Sequence, residues 1–177
     1  MSTSQALTRA LALVRRGPMQ VMVDPAGEAV ELFAADGVDL RAWTELEPVR
    51  LDGVGAHDAA RAGDRLEVRF RTDEVSREVL AVLFPRGRAD AMDGTHGFGS
   101  APGACLSSQA RAMRLRPWRT RASSAWQIDL WRVAPLGSAQ LSLRHDAPYR
   151  WTCAFAALPD LDRPDGELLM RVTAPAR

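Results

Sequence analysis

The chain has 177 residues and a mass of 19.3 kDa, enough for one domain that buries about 70% of its unfolded surface without a disulfide or metal staple. Hydrophobic residues make up 46% and charged residues 25%, ordinary globular usage that excludes a disordered tail, a collagen-like fibre and a disulfide scaffold. A formal net charge of +1 excludes a wholly basic or wholly acidic protein.

All 23 cationic side chains are arginine, there is no asparagine, and Ile128 and Tyr149 are the sole residues of their types. Ala, Arg, Gly and Pro are abundant instead. This is the codon signature of a GC-rich genome. Arginine is therefore no sign of bidentate anion recognition here, although that is its usual advantage over lysine.

The first elements are N-terminal. Ser4 caps a predicted helix over 4–16, with Leu7, Leu11 and Val14 on one face, and Gly17-Pro18 stops it. So short a helix is marginal alone and must dock on something. Arg9 interrupts its apolar run and Arg15-Arg16 follow it. A signal peptide has its charge first, so none is expected. No window nears the roughly 18 apolar residues of a membrane span. Cys105 and Cys153 are expected as reduced thiols. A cytoplasmic or virion location follows from these signals.

Period-two patterns dominate the rest. Met19, Val21 and Val23 alternate up to the turn tetrad Asp24-Pro25-Ala26-Gly27, and Val30 and Leu32 resume the pattern as a hairpin. Leu46 to Leu51 reads as a short strand before Asp52-Gly53. Leu66, Val68 and Phe70 point one way while Glu67, Arg69 and Arg71 point the other. Val79, Ala81 and Leu83 read as the next strand. Residues 86–104 hold five glycines and no apolar period, a long loop of the kind that carries function. His96 and Phe98 are its candidate contact residues. Leu106, Ala110 and Met113 fit a short helix as well as a strand. Further strands follow at Trp126–Leu130, Leu141–Leu143, Trp151–Phe155 and Leu168–Val172.

Alternating strands without intervening helices predict an all-β fold, an antiparallel β-sandwich of jelly-roll type behind a short N-terminal helix. The division is an N-terminal helical arm, 1–17, and a single sandwich domain, 18–177.

Charge is uneven along the chain. Residues 17–52 carry eight acids against two arginines, a net of −6, and residues 86–121 carry seven arginines against two acids, a net of +5. Both blocks are expected mostly on loops and edges. Opposed patches pair within a molecule or between copies and steer association. Arg111, Arg114, Arg116, Arg119 and Arg121, with Trp118 among them, form the basic candidate surface. Trp126 lies on one face of its strand and Trp131 on the other, and both join that surface, because Trp, Tyr and Arg are the interface-enriched types. A base-stacking, phosphate-binding role for this block is disfavoured by the near-neutral overall charge.

The sites for chemistry are few. The three histidines, His57, His96 and His145, have no metal-ligand spacing, so no metal is expected. No cofactor motif is present: there is no Walker A loop, no dinucleotide fingerprint and no Gly-x-Ser-x-Gly elbow. Cys105 follows Pro102-Gly103-Ala104 and could open a helix, which lowers a thiol pKa. His145 would then be the base and Asp129 or Asp146 its orienter. The chain order Cys then His resembles that of papain-like cysteine hydrolases, without the aromatic partners of their motif.

Three functions follow, in order. The first is a non-enzymatic structural or adaptor protein that binds other protein subunits, as a virion shell, tail or decoration component does. The second is a cysteine-dependent hydrolase using Cys105 and His145. The third is a small-ligand-binding sandwich with its pocket under the 86–104 loop.

Overall fold

The computed structural model describes residues 17–24, 26–51, 55–74, 76–85, 88–89, 96–97, 103, 105–118, 126–137, 140–142, 145–146 and 149–174. The helix expected over 4–16 lies outside them, as does most of the 86–104 loop.

Antiparallel strands make up most of what is described: β1 (Met19–Val23), β2 (Val30–Ala34), β3 (Val38–Leu51), β4 (Gly55–Thr72), β5 (Arg88–Ala89), β6 (His96–Gly97), β7 (Arg111–Pro117), β8 (Gln127–Pro135), β9 (Gln140–Ser142), β10 (Arg150–Ala157) and β11 (Met170–Thr173). The all-β expectation therefore holds. Among the described residues one α-helix, α1, spans Arg77–Leu83.

Two stacked sheets were expected. Instead, the described strands, apart from the small β5–β6 ladder, join one nine-stranded sheet in the order β2-β1-β7-β8-β10-β4-β3, with β11 on β8 and β9 on β10. The two ends of that order are consecutive in sequence. Laid flat, six inter-strand steps would separate β2 from β3 by about 29 Å. The chain from Ala34 to Val38 spans at most about 14 Å. The sheet must therefore curl until its edges meet at the turn through Asp36 and Gly37. Gly37 takes a φ of +89°, which suits a residue without Cβ, and its N–H donates to Ala34 O at 3.1 Å. Beside the same turn β2 lies against β4.

Arg150 ties this closure down. Its Nε donates to Asp73 at 2.8 Å and its Nη1 to Asp36 at 3.2 Å. Phe33 N, which faces away from β1, finds Glu74 Oε1 at 3.2 Å, so a backbone donor of the edge strand is satisfied.

Curling gathers the buried apolar side chains other than Ala134 in one cluster. Trp151, Cys153, Phe155 and Ala157 are buried on alternate positions of β10, as the period of two requires. They meet Leu66, Val68 and Phe70 of β4, with Val21, Leu32, Leu115, Ile128 and Leu130 across the interior. Each such side chain contributes about 1.5–3 kcal/mol of transfer free energy.

The sequence reading fails at Val79–Leu83. These residues are helical, not extended. Val79 and Leu83 are four apart as well as even-spaced, so both periods fit them, and buried Val82 belongs only to the helical one. Ser76 decides the matter: its Oγ accepts from Val79 N at 3.2 Å as the N-cap. Glu78 sits in the first turn, and hydrogen bonds from its own backbone N–H and from Ser76 hold its carboxyl below the usual range. Helix α1 packs on β2, and Phe84 just beyond it meets Trp151 edge-on at 5.9 Å between centroids. The ambiguous stretch after Cys105 resolves into both options, a 3-10 turn at Leu106–Gln109 and then β7.

Three register shifts interrupt the described ladders, one of them between Val49 and Arg50 of the β3–β4 ribbon. Met113 pairs with Leu130 and Arg111 with Val133, so Trp131 and Arg132 together oppose Ala112. This two-for-one step breaks the alternation. A third lies between Glu45 and Leu46, where the partner skips from Gly63 to Arg61.

Candidate interaction surface

The β3–β4 hairpin outruns the body. Its strands have 14 and 18 residues, against roughly five or six in an average strand. β10 covers β4 only over Glu67–Thr72. Before Glu67, β4 pairs only with β3 among the described residues. Every residue from Arg41 to Glu47 is exposed. Both faces of this stretch are thus in solvent, which a sheet strand of a closed domain does not show.

The register says what each face carries. Val38 and Leu40 sit opposite Phe70 and Val68 on the core side, and Ala42, opposite Leu66, continues that face into the exposed stretch. Leu46 carries that apolar stripe past the last covering strand and is 63% exposed. Trp43 lies on the opposite face, 43% exposed, with the Arg41 guanidinium 5.6 Å from its ring. Glu45 pairs with Arg65 at 3.0 Å, and Thr44 Oγ1 donates to Asp64 at 2.7 Å.

The arginine-rich block was expected mostly on loops and edges. Of its described members, Arg111, Arg114 and Arg116 belong to β7, an interior strand between β1 and β8, and Arg88 to the two-residue β5. Arg111 reaches Asp24 at 3.1 Å, and Arg114 Nε donates to Asp129 at 2.6 Å. Arg116 donates to Gln20, which in turn donates to Glu31. The acidic and basic blocks therefore meet within one chain at Asp24–Arg111 and at Glu31–Gln20–Arg116. Arg119 and Arg121 lie outside the described residues. Trp118 is exposed at the end of β7, its ring 4.7 Å from Phe33.

The second face of β8 is covered by the chain itself. Trp131 Nε1 donates to Glu167 O at 2.6 Å, and the Arg163 guanidinium lies 4.0 Å from the ring centroid. Trp126 is partly buried against the core. Neither tryptophan has the exposure of Trp43.

The residues named for chemistry are scattered. Cys105 is exposed at the start of a 3-10 turn, where the hydrolase alternative calls for a helix N-terminus. His145 is exposed in a turn. Asp129 gives Oδ1 to Arg114 and Oδ2 to Gln127, at 2.6 and 2.7 Å, so both oxygens serve residues other than His145. His96 falls in the two-residue β6, paired with Ala89, and Phe98 lies outside the described residues. Among the described residues no three His, Cys, Asp or Glu side chains group as a metal site would require, and no helix is long and apolar enough to cross a membrane.

The two thiols differ in chemistry. Burial pushes the Cys153 thiol up to about 12 from 9.0, because a thiolate in the core would lose its hydration. Brief alkylation of the native chain at pH 8 is expected to label Cys105 and leave Cys153 unmodified, with both labelled after denaturation; peptide mass spectrometry reads the result. The raised value also sets a pH limit. The native state holds the Cys153 proton more tightly than the unfolded chain, so its contribution is complete below pH 9 and is lost as the pH rises toward 12.

No family model matches the chain, and no curated protein matches its sequence. Among solved structures it is similar to a chain of the PVC sheath–tube complex, an extracellular contractile injection system in its extended state. That chain is 12% identical with a TM-score of 0.48, over 98% of this chain and 99% of the other. It is also similar to a chain of the anti-feeding prophage baseplate, 12% identical with a TM-score of 0.41 over 89% and 91%. An Hcp protein is 7% identical with a TM-score of 0.39 over 78% and 86%. At such identities and scores the likeness assigns no role to this chain.

Proposed function

We propose that this protein is a non-enzymatic structural subunit that binds other protein chains, copies of itself first, within a larger particle such as a virion shell or tail. The β3–β4 ribbon carries the reading. An isolated two-stranded ribbon is marginal in water, and this one extends exposed Leu46 and Trp43 away from the body. A partner surface supplies the cover that the fold does not. Exposed Trp118 on Phe33 offers a second contact of the interface-enriched type.

Mass photometry over a dilution series, in low and high salt, tests this. The expected result is a concentration-dependent species larger than the monomer. A strict monomer at every concentration and salt overturns it.

A further inference from the structure

The Trp118–Phe33 pair stands where the chain enters the sheet. Pro18 O accepts from Trp118 N at 3.0 Å, which fixes Pro18 beside Trp118 at the start of β1. Along β1, Met19, Val21 and Val23 face the core, so Gln20 and Met22 face outward, and Phe33 is the ladder partner of Gln20. The aromatic pair and the partly buried Met22 therefore follow one another on the outer face of β1 and its neighbours, at two-residue steps of about 7 Å. Trp118 is 38% exposed, and Gly17 and Pro18 are exposed beside it.

Only Gly17 separates Pro18 from the segment 1–16, whose sequence predicts a helix over 4–16. Val14 lies at most about 14 Å from Pro18 even if the link is fully extended. That end of the segment therefore stays beside the aromatic pair. A two-residue link between a helix and the strand it packs on is ordinary, and a residue before proline leaves the helical region, which sets the turn at Gly17. At about 100° per residue, Leu7, Leu11 and Val14 form one stripe about 10 Å long. Arg9 and Arg16 lie on the far side, more than about 150° from its middle. One face of this helix is thus apolar, and it matches the length of the row from the aromatic pair to Met22. So short a helix needs such a surface to be stable.

We propose that residues 4–16 fold back on their own chain and cover Trp118, Phe33 and Met22 with the stripe of Leu7, Leu11 and Val14. A two-residue tether gives this segment a far higher local concentration at that surface than a second copy reaches in dilute solution. A partner chain that takes the Trp118–Phe33 pair must first displace the arm. The docking itself does not depend on self-assembly.

Hydrogen exchange of the full-length chain, read by peptide mass spectrometry over a dilution series, tests this. Amides of residues 8–16 are expected to exchange at least tenfold more slowly than in an unstructured peptide, and equally at every concentration. L11D, on the stripe, and W118S, on the sheet, are each expected to remove most of that protection. R9E, on the far face of the helix, is expected to leave it within twofold. Unchanged slow exchange across β4 and β10 shows that each variant is folded. Fast exchange of 8–16 in the wild type, protection unmoved by L11D and W118S, or an equal loss in R9E overturns the docking. Protection that appears only as concentration rises overturns it in favour of a second copy as the occupant. None of these results decides self-assembly, which mass photometry reads.

Discussion

Phe155→Ala is expected to cost about 3–5 kcal/mol, as large aromatic truncations in packed cores do. Phe155 is 1% exposed and stacks parallel to Phe70 with centroids 5.9 Å apart. Its position explains why relaxation cannot recover the loss. It pairs with Pro135 of β8 on one side and Val68 of β4 on the other. A cavity there sits where β10 joins the two halves of the curled sheet. Single domains have about 5–15 kcal/mol in total, so this one change removes a large share. Urea unfolding at constant m reads it. The neighbouring Ala154, paired with Arg69 and facing away from the core, is the control: Ala154→Ser is expected to change stability by under about 0.5 kcal/mol. A Phe155→Ala loss below about 1 kcal/mol would mean that β4, β8 and β10 do not enclose a common interior.

The same residues show why the strands were legible. Leu66, Val68 and Phe70, and Trp151, Cys153 and Phe155, each have one buried face and one polar or small face, so the period of two is written in the sequence. That period says nothing about whether two faces belong to two sheets or to one that curls. The answer lies in chain connectivity, where β2 and β3 sit at opposite ends of the strand order yet are joined by a tight turn. Helix α1 was hidden because Val79 and Leu83 satisfy two periods at once.

The candidate surface was the least legible part. Gly55 to Arg61 has no apolar alternation, so a period of two cannot reveal this part of β4. The Asp52-Gly53 pair flanked by Leu46–Leu51 was the available signal, because such a dipeptide favours a hairpin. Arginine content pointed to residues 111–121 instead. There Arg111 and Arg114 are already neutralised by Asp24 and Asp129, and Arg116 donates to Gln20. A charge block in sequence cannot show which of its members are already paired.

Shortening the ribbon separates folding from assembly. Replacing residues 46–62 by Asp-Gly, so that Glu45 leads directly to its ladder partner Gly63, removes the overhang and supplies a two-residue hairpin turn. The body loses little, because β10 pairs with β4 only from Glu67 onward and residues 41–47 are exposed. The ladder hydrogen bonds that disappear were exchanged against water, at about 1 kcal/mol or less each. They were also offset by the entropy of ordering the residues that made them, about 1–2 kcal/mol per residue. The shortened chain is therefore expected to melt within a few degrees of the parent, and to assemble at least tenfold less tightly, since the surface carried by Leu46 is gone. Loss of the fold would mean that the overhang helps to hold the sheet closed. Undiminished assembly would move the contact to another exposed site, with Trp118 on Phe33 the first to substitute.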